Sequence, residues 1–402
     1  MMRLLQRPAG YNTDIITDGD DEQVKTITSD VFDRSCVEID LDALSHNYNE
    51  IRRITSPEAE IMAVVKADAY GHGAVRCART LIGCGASYLC VATIGEAIEL
   101  REAGIKTPIL ILGYTDPLRF KDVVKYDIDQ AVYDLEAAKI LSKEAVAQNK
   151  TVRIHIKLDT GMGRLGFISD GSSTEDIVEI CRLPGLDHYG VFSHFAVADT
   201  EDDEYTMKQF VSFMSELDQL AKFGITFEKR HICNSAGIMR FPGMHLDMVR
   251  AGIILYGLMP PGCPAPKQDI DLVPVMSWYA KVIHAKTVPV GTSVSYGRHF
   301  KAGRPTRVLT VSIGYADGLS RRYSDGFELI VAGQRAPIIG NVCMDMCMLD
   351  ATDIKDYVGV RSLVTVFGKH RSVDELAEYL GTINYEITCI IGKRVPRVYS
   401  DK

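Results

Sequence analysis

The chain has 402 residues, of which 46% are hydrophobic and 24% charged, and its formal net charge is −8 at pH 7. This composition is typical of a globular protein, and the length accommodates a barrel-sized domain together with a second domain. The acidic balance argues against non-specific binding to nucleic acid or to anionic membranes.

No apolar run in the sequence is long enough to span a bilayer, and residues 1–10 lack the apolar core of a signal peptide. We therefore expect a cytoplasmic protein without a membrane partner. The spacing of the ten cysteines is not that of a disulfide framework, so we expect reduced thiols. Cys343 and Cys347 have no matching histidine or cysteine pair, and no metal site is predicted.

Residues 1–35 and residues 36–270 differ sharply in their pattern of apolar residues. Residues 1–35 carry an acidic stretch, Asp18–Glu22, with little periodic apolar pattern, and we predict a poorly ordered N-terminal arm. From residue 36 to 270, apolar runs alternate with amphipathic stretches, which indicates an α/β fold with an N-terminal (β/α)8 TIM-type barrel. The predicted strands are Val37–Ile39, Ile61–Val65, Tyr88–Ala92, Ile109–Leu112, Asp129–Val132, Val152–Leu158, Tyr189–Ser193, Arg230–Cys233 and Asp247–Val249. The predicted helices are Asp42–Ile54, Gly95–Ala103, Asp134–Gln148 and Asp202–Phe223.

A proline-rich boundary, Met259–Pro266, ends this alternation. Downstream, apolar runs between Gly and Asp turns predict a mostly antiparallel β domain over residues 271–402. Its predicted strands are Met276–Val288, Arg307–Ile313, Phe327–Val331, Gln334–Ile339, Cys347–Asp350 and Ser362–Phe367. One helix, Val373–Leu380, is predicted among them.

Lys66 closes the apolar run Ile61–Val65, which is predicted as a strand buried on both faces. A glycine-punctuated turn, Ala67–Gly73, follows it. A buried ammonium loses hydration, so the site must pair it, lower its pKa or bond it covalently. Taken alone, a lysine that snorkels to the surface is the simpler interpretation.

Polar residues close four further apolar runs, and in a barrel the carboxyl ends of the strands meet at one mouth. These residues are Lys157, His194, Ser235 and Arg250. A barrel built only for stability needs none of them, although a rim of satisfied polar groups remains an alternative.

Two neighbouring strand ends offer donors for a phosphate dianion. Gly252 exposes backbone N–H groups and Ser235 adds a hydroxyl in a similar turn, although a glycine can also merely permit a tight turn. A phosphate site beside a buried lysine suggests a phosphorylated aldehyde bound to that lysine. Pyridoxal 5′-phosphate (PLP) fits this description, with Lys66 as the amine.

Tyr296 lies between serine and glycine in Ser293–His299 of the second domain. It could cover apolar surface, as most tyrosines do, or act as a general base if a positive charge lowers its pKa. The loops Gly314–Gly318 and Gly340–Asp345 also carry polar groups, but neither indicates a function alone.

Eight motifs together closely resemble the alanine racemase family. In order over residues 37–397 they are AVVKADAYGHG, KLDTGMGRLGF, FSHFA, CNSAG, MVRAGIILYG, VSYGR, GYADG and CMD. One motif would be a weak indication, whereas eight in register across nearly the whole chain are specific. The architecture of that family, a PLP-binding (β/α)8 barrel followed by a β-rich domain, agrees with the predicted fold.

The resemblance implies an isomerase that interconverts L-alanine and D-alanine and supplies D-alanine for peptidoglycan synthesis. It implies that Lys66 carries the cofactor and is the base for the D-enantiomer. Tyr296 would be the base for the L-enantiomer and would reach the site from the partner subunit of a head-to-tail homodimer. A racemase needs two bases because the α-proton leaves one face and returns to the other.

The resemblance also assigns binding roles. The phosphate-binding positions are Tyr70, Ser235, Gly252, Ile253 and Tyr385. The positions that hold the substrate carboxylate are Arg164 and Met344, and Lys157 occupies the place where some members carry a carbamate that orients the arginine. The resemblance places three further residues around the entrance of the active site or behind the residues that bind substrate: Tyr315, Asp345 and Asn341.

Arg250 matches the residue that faces the pyridine nitrogen of the cofactor. Because an arginine keeps its proton, it donates to that nitrogen and leaves it unprotonated, which makes the ring a weaker electron sink. We hypothesise that this suppresses transamination. We also expect His194 to hydrogen-bond to Arg250 and fix its orientation.

The chain departs from the family pattern at two positions near the entrance. Asn341 stands where many members have arginine, and Met346 replaces a common polar residue. These departures bear on the electrostatics of the entrance more than on the chemistry.

Three other functions share parts of the pattern. An amino-acid decarboxylase on the same barrel would replace Arg250 by a carboxylate and carry a cysteine-bearing motif in the second domain. A PLP-binding carrier protein would be a single short domain without Tyr296. A racemase for another small amino acid, serine in particular, is the nearest alternative, because a small pocket discriminates poorly against one added hydroxyl.

Overall fold

The computed structural model describes residues 32–324, 326–368 and 371–400. Residues 1–31, most of the predicted N-terminal arm, lie outside the described residues. The chain groups into two compact units. Among the described residues, the barrel unit comprises Ile39–Met276 and Val373–Ile390, and the sheet unit comprises residues 32–38, Ser277–Ser372 and Ile391–Ser400.

Eight parallel strands that close on themselves form the centre of the barrel unit. After a first strand that joins the other sheet, β1 (Ser35–Asp40), the chain forms β2 (Glu60–Val64), β3 (Tyr88–Val91), β4 (Ile109–Ile111), β5 (Asp129–Val132), β6 (Val152–Asp159), β7 (Phe167–Ile168), β8 (Leu186–Phe192), β9 (Lys229–His231) and β10 (Met248–Ala251). The ring runs β5-β4-β3-β2-β10-β9-β8-β6, and β6 pairs with β5 to close it, while β7 only flanks β6. The predicted (β/α)8 barrel is confirmed.

Strands β2, β3 and β4 are short, largely apolar runs because both of their faces are buried. Residues Ile61–Val65, for example, are at most 5% exposed. In a barrel one face of each strand fills the interior and the other packs under the helices. Burial on both faces therefore explains why these three strands show no alternation of polar and apolar residues, whereas β6, with the sequence VRIHIKLD, does alternate.

Helices alternate with these strands. They are α1 (Leu41–Ile54), α2 (Lys66–Tyr70), α3 (Ala74–Cys84), α4 (Ile94–Glu102), α5 (Phe120–Lys125), α6 (Leu135–Ala147), α7 (Thr174–Cys181), α8 (Asp203–Lys222), α9 (Ser235–Arg240), α10 (Val373–Leu380) and α11 (Asn384–Cys389). The four helices predicted in the barrel region match α1, α4, α6 and α8 within one residue at each end. Each of these four begins after a side chain that caps its first turn, namely Asp40, Thr93, Asp134 and Asp202. Within the described ranges, none of the helices combines the length and the apolar character that a membrane crossing requires.

The sheet unit is antiparallel in the pairings β11–β14, β11–β18, β14–β17, β15–β16 and β15–β18. Its strands are β11 (Met276–Val288), β12 (Ser293–Val294), β13 (Phe300–Lys301), β14 (Thr306–Val311), β15 (Glu328–Val331), β16 (Gln334–Pro337), β17 (Cys347–Asp350), β18 (Leu363–Phe367) and β19 (Arg397–Ser400). Strand β1 lies between β11 and β19. The segment Val37–Ile39 is thus a strand as predicted, but it belongs to this sheet and not to the barrel series.

One late segment groups with the barrel. A single boundary near residue 271 assigns Val373–Ile390 to the second domain, whereas in the structure these residues group with the barrel residues. Helix α11 is anchored there, because Asn384 Nδ2 donates to the carbonyl of Met259 across 2.9 Å. Composition along the chain does not indicate such a return, since the partners are far apart in sequence.

Candidate active site at the mouth of the barrel

Lys66 stands where β2 ends and the backbone turns in the left-handed sense. Ala67, Asp68, Ala69 and Tyr70 have φ between 53° and 55°. This conformation costs an L-residue about 1–2 kcal/mol. Such strain persists only where the surroundings over-determine it, and it is found most often at functional sites. One left-handed turn therefore leads from Lys66 to Tyr70.

The amino group of Lys66 lies in an environment that disfavours its charge. Burial lowers the pKa of the ammonium, and the positive charge of Arg164 lowers it further, while the carboxylate of Glu96 acts in the opposite direction. A lowered pKa makes the unprotonated amine more available at neutral pH. The unprotonated amine is the form that reacts with an aldehyde.

Lys66 follows β2, and a small polar cradle formed by Gly252, Ser235 and Tyr70 lies at the end of the neighbouring strand β10. In the pairing of β2 with β10, Met62 lies opposite Arg250. Beyond β10, the N–H of Gly252 donates to Ser235 Oγ across 3.0 Å. A Cβ built on Gly252 would lie 3.0 Å from Tyr70 Oη and 3.4 Å from Ser235 Oγ. Two hydroxyls thus converge on a space that any other side chain would fill.

A second tyrosine lies beside this cradle. The ring centroid of Tyr385 is 6.0 Å from that of Tyr70. Burial raises the pKa of both hydroxyls, so both remain protonated donors at neutral pH. Ile253, which follows Gly252, is fully buried and begins a short 3-10 helix, Ile253–Tyr256. Neutral donors around a space kept open by glycine fit a phosphate group.

Arg250 is 3% exposed and is held on both of its terminal nitrogens. Nη1 donates to His231 Nδ1 across 2.7 Å. Nη2 donates to the carbonyls of Ser193 (2.7 Å) and Ile232 (2.9 Å) and to His194 Nδ1 (3.2 Å). The hydrogen bond expected between His194 and Arg250 is present. Burial lowers the pKa of the guanidinium to about 10, so it keeps its charge at neutral pH.

Two histidines that no motif in the sequence indicated, His231 and His155, lie behind Arg250. Because the arginine can only donate, His231 accepts at Nδ1 and carries its proton on Nε2, which donates to His155 Nδ1 across 2.9 Å. Burial lowers the pKa of both imidazoles, so both are neutral. The signal in the sequence was one histidine inside each of two predicted strands, Val152–Leu158 and Arg230–Cys233.

Lys157 is 6% exposed at the end of β6. Its Nζ donates to the carbonyl of Leu158 across 2.6 Å and lies 5.3 Å from the ring centroid of Phe192. Burial lowers the pKa of this ammonium to about 7, and the charge of Arg250 acts in the same direction. A neutral amine is thus accessible at this position near neutral pH.

Arg164 is exposed on the loop that follows β6. The start of that loop is held by one carboxylate oxygen, because Asp159 Oδ1 accepts the N–H groups of Gly161 and Gly163, each across 3.0 Å. The Tyr205 hydroxyl donates to the carbonyl of Gly161 across 2.9 Å. The exposed side chain of Arg164 is therefore carried by an anchored backbone.

In the sheet unit, Tyr296 is 74% exposed while its backbone is fixed. Asn341 Nδ2 donates to the Tyr296 carbonyl across 2.8 Å, and Ser295 Oγ donates to the Asn341 carbonyl across 2.6 Å. Asn341 itself is only 7% exposed. The resemblance associates Asn341 with the entrance, and the structure places it beneath the backbone of Tyr296.

Two loops of the sheet unit present Tyr315 and Met344 at the surface. The backbone N–H of Tyr315 donates to the Cys343 carbonyl, and that of Ala316 donates to the Met344 carbonyl, each across 3.0 Å. The loops are close together because Gly314 has no side chain: a Cβ there would lie 2.4 Å from the Met344 carbonyl oxygen. Tyr315 and Met344 therefore belong to one local structure.

A buried carboxylate holds these loops and was not singled out from the sequence. Asp317, in the GYADG motif, is 1% exposed. Its Oδ2 accepts the N–H of Gly314 across 2.9 Å, and its Oδ1 accepts Arg394 Nε across 2.6 Å. Arg394 also forms an ion pair with Asp345 across 2.8 Å. Asp345 thus lies at the surface end of this network.

The predicted site residues form one set in each unit. The barrel unit carries Lys66, Tyr70, Lys157, Arg164, His194, Ser235, Arg250, Gly252, Ile253 and Tyr385. The sheet unit carries Tyr296, Tyr315, Asn341, Met344 and Asp345. The return of Val373–Ile390 to the barrel unit explains how Tyr385, late in the sequence, lies beside Tyr70.

Known proteins resemble this chain over most of its length. The family described as "Alanine racemase, N-terminal domain" matches residues 39–260, and "Alanine racemase, C-terminal domain" matches residues 275–399. The alanine racemase of Desulforamulus reducens is 46% identical over 363 residues, which cover 90% of this chain and 98% of the relative. That of Methanococcus maripaludis is 46% identical over 366 residues, 90% of this chain and 97% of the relative.

Solved structures of the same enzyme superpose closely. An alanine racemase from Clostridium difficile 630 has a TM-score of 0.89 at 39% identity, covering 92% of this chain and 96% of its own. An alanine racemase from Bacillus anthracis with bound L-Ala-P has a TM-score of 0.86 at 37% identity, with the same coverage. Sequence and fold agree over both units, and the chain belongs to the alanine racemase family.

Proposed function

We propose that Lys66 and Tyr296 are the two proton-transfer groups with which this chain interconverts L-alanine and D-alanine, using PLP held at the mouth of the barrel. Interconversion of the alanine enantiomers is the reaction of the family to which the chain belongs. The observation that carries the residue assignment is the pairing of β2 with β10. This pairing brings the strand end of Lys66 next to the Gly252 cradle.

The residues around this mouth fit the cofactor. The phosphate would be held by Tyr70, Ser235, Gly252, Ile253 and Tyr385. Arg250 would face the pyridine nitrogen, and Lys66 would bind the aldehyde carbon covalently. When bound, the cofactor withdraws electrons from the α-carbon of the amino acid and so eases loss of the α-proton.

Lys66 would remove or return the α-proton on one face of the substrate. Its lowered pKa favours the unprotonated amine that accepts a proton. Tyr296 would serve the opposite face, with Lys66 assigned to the D-enantiomer and Tyr296 to the L-enantiomer. A tyrosine that is exposed on an anchored backbone suits a role toward another subunit. We therefore include a head-to-tail homodimer with shared sites in the proposal.

Arg250 would hold the pyridine nitrogen without protonating it, because the guanidinium retains its proton. The ring is then a weaker electron sink than one paired with a carboxylate, and we infer that this suppresses transamination. Replacement Arg250→Glu should raise transamination relative to racemisation. Unchanged formation of the side product in that variant would disprove this role.

The substrate carboxylate would be bound by Arg164 and by the backbone at Met344. Lys157 would be carbamylated, since its neutral amine can add CO2 with loss of a proton, and the carbamate would orient Arg164. The low pKa of Lys157 supports this step, because only the neutral amine reacts. Tyr315 and Asp345 would line the entrance.

Borohydride reduction of the loaded enzyme followed by peptide mapping tests the central assignment. The pyridoxyl group should be found on Lys66, and the Lys66→Ala variant should carry none. A pyridoxyl group on any other lysine of the wild-type protein would refute the assignment.

The choice between alanine and serine is a separate question. We propose alanine as the principal substrate, and relative kcat/KM values for the two amino acids decide it. A higher kcat/KM for serine would redirect the proposal to serine racemisation. Supply of D-alanine for peptidoglycan synthesis and a cytoplasmic location stay predictions.

A further inference from the structure

A carboxylate outside the left-handed turn after Lys66 accepts the first amide of that turn. Glu96 lies in the first turn of α4 and is half-buried. Its Oε1 accepts the N–H of Ala67 across 2.8 Å. Its Oε2 accepts the N–H groups of Ala92 (2.7 Å) and Thr93 (3.2 Å). All three amides follow the ends of β2 and β3, which are neighbours in the barrel.

The Ala67 amide is the first one of the strained turn. Within the turn, the N–H of Ala69 donates to the Val65 carbonyl and that of Gly71 to the Ala67 carbonyl, each across 2.9 Å. These two bonds run within the turn and to Val65, which lies just before it at the end of β2. The bond from Ala67 to Glu96 adds an attachment to a second element, because Glu96 belongs to α4, which follows β3.

We propose that Glu96 is a positioning residue for Lys66: by holding the Ala67 amide, it sets the direction in which Lys66 leaves β2 and keeps Tyr70 at the Gly252 cradle. The inference rests on the proposed function, which makes Lys66 the attachment point of PLP. The hydrogen bonds of the Glu96 carboxylate go to the amides of Ala67, Ala92 and Thr93, so it positions Lys66 through the turn.

The charge of Glu96 has a second, weaker effect. The carboxylate favours the ammonium form of Lys66 and so opposes burial and Arg164. Loss of this charge alone would make Lys66 more reactive as an amine, whereas loss of the turn would impair PLP binding. Loss of the charge would favour attachment of PLP to Lys66, whereas loss of the turn would weaken it, so an experiment can separate the two effects.

Glu96→Gln is the informative substitution because it keeps the shape and removes one acceptor. Both carboxylate oxygens accept N–H groups, so the amide nitrogen of glutamine must face a donor at one of the two strand ends. Thr93→Ala is a matched control, since Thr93 Oγ1 caps the same helix by accepting the Glu96 N–H across 3.3 Å but does not touch the turn. Glu99→Gln, at an exposed residue of the same helix, controls for charge.

The test uses the full chain with two measurements, hydrogen exchange of the 66–74 peptide and the dissociation constant of PLP. In Glu96→Gln we expect amide exchange in that peptide to rise, and PLP affinity to fall, each by roughly 10- to 100-fold, the effect of losing a hydrogen bond to a charged group. Both control variants should resemble the wild type. Exchange in peptides of the sheet unit should not change, which excludes global unfolding.

Two results would overturn the proposal. One is unchanged exchange of the 66–74 peptide in both Glu96→Gln and Glu96→Ala, since alanine removes both acceptors whereas glutamine keeps one; the other is faster exchange with unchanged PLP affinity. A background variant keeps the test decisive: Ala67→Gly removes the strain of a left-handed alanine, so the loss caused by Glu96→Gln should be smaller in that background. If mapping puts the pyridoxyl group elsewhere while the 66–74 peptide still responds, the proposed function fails and the role of Glu96 in the turn stands.

Discussion

Arg250 Nη1 donates to His231 Nδ1 across 2.7 Å, so a neutral imidazole anchors this buried guanidinium. Because His231 accepts at Nδ1, its proton is on Nε2. That N–H donates to Nδ1 of His155, which therefore carries its own proton on Nε2. The partner of Arg250 at Nη1 is thus a neutral ring and not a carboxylate. The guanidinium keeps its positive charge and can still donate an N–H group to an acceptor in the site.

His231→Phe should test this anchor. The phenyl ring can keep the stacked contact with Phe192, whose ring centroid is 4.9 Å away at an interplanar angle of 6°, but it leaves one donor of Arg250 without an acceptor. We expect the free energy of unfolding to fall by about 1–3 kcal/mol, measured by denaturant titration with circular dichroism. His188→Phe is a matched control, because His188 contacts Phe227 and not Arg250. An equal loss in both variants would contradict the role of the anchor.

Gly252→Ala should weaken PLP binding. The added Cβ would lie 3.0 Å from Tyr70 Oη and 3.4 Å from Ser235 Oγ, so the cradle must open. Overpacking of this kind costs about 1–3 kcal/mol, which corresponds to roughly 5- to 150-fold in the dissociation constant. Gly83→Ala is the control: no atom lies within 4 Å of its Cβ, and alanine within α3 should stabilise by about 0.5–1 kcal/mol without an effect on PLP. Unchanged PLP affinity in Gly252→Ala would argue against a phosphate at the cradle.

Asp129 should make the barrel less stable as pH rises. The carboxyl is 6% exposed and bonded to the Tyr88 hydroxyl, and burial raises its pKa to about 7. The unfolded value is about 3.9. Between these values the native state binds a proton that the unfolded state has lost, so the free energy of unfolding falls from about pH 4 to pH 7.

In Asp129→Asn this part of the pH dependence should disappear, because the amide stays neutral. Thermal unfolding followed between pH 4 and pH 8 measures it. The exposed Asp218→Asn should keep the slope of the wild type. A variant Asp129→Asn with that same slope would show that the carboxyl titrates normally.

Asp317→Asn should destabilise the loops that carry Tyr315 and Met344. The substitution removes the charge that accepts Gly314 and Arg394, and hydrogen bonds to charged groups contribute about 1.5–3 kcal/mol. Trp278, the only tryptophan of the chain, is buried in the sheet unit, so its fluorescence reports unfolding there. Asp345→Asn breaks the other ion pair of Arg394 but is 48% exposed, and we expect a loss below about 1 kcal/mol. A larger loss in Asp345→Asn than in Asp317→Asn would reverse this ranking.

The shared site can be tested by mixing two inactive variants. Lys66→Ala and Tyr296→Phe should each abolish racemisation, and Tyr296→Phe should slow α-proton exchange more from L-alanine than from D-alanine. In a head-to-tail dimer, the mixed species has one intact site, so random exchange of subunits should restore up to about a quarter of the wild-type activity. Absence of rescue despite demonstrated subunit exchange would indicate that both groups act within one chain.

The strand ends of the barrel could be predicted from local patterns alone. The run Ile61–Val65 indicated a doubly buried strand, and Lys66 followed as the residue at its end, because burial on both faces leaves a signature in consecutive residues. Helices α1 and α6 were predicted for the same reason, because the amphipathic pattern of a helix is contained in consecutive residues.

The partners of those residues could not be predicted in this way. His231 and His155 lie 76 residues apart and meet only because β6, β8 and β9 are adjacent in the closed ring. Asn341 reaches the Tyr296 carbonyl over 45 residues for a similar reason. A hydrogen bond between distant segments depends on their relative placement, and no local property of either segment encodes it.

The sequence by itself determined the closed barrel, the order of the strand ends and the chemical groups at them, because hydrophobic pattern and turn chemistry act over a few consecutive residues. Only the tertiary structure decided how those groups are oriented: the left-handed turn after Lys66, its attachment to Glu96, the neutral anchor of Arg250 and the return of Tyr385 to Tyr70. These depend on contacts made once the ring has closed, when burial makes each unsatisfied donor costly and so selects one arrangement.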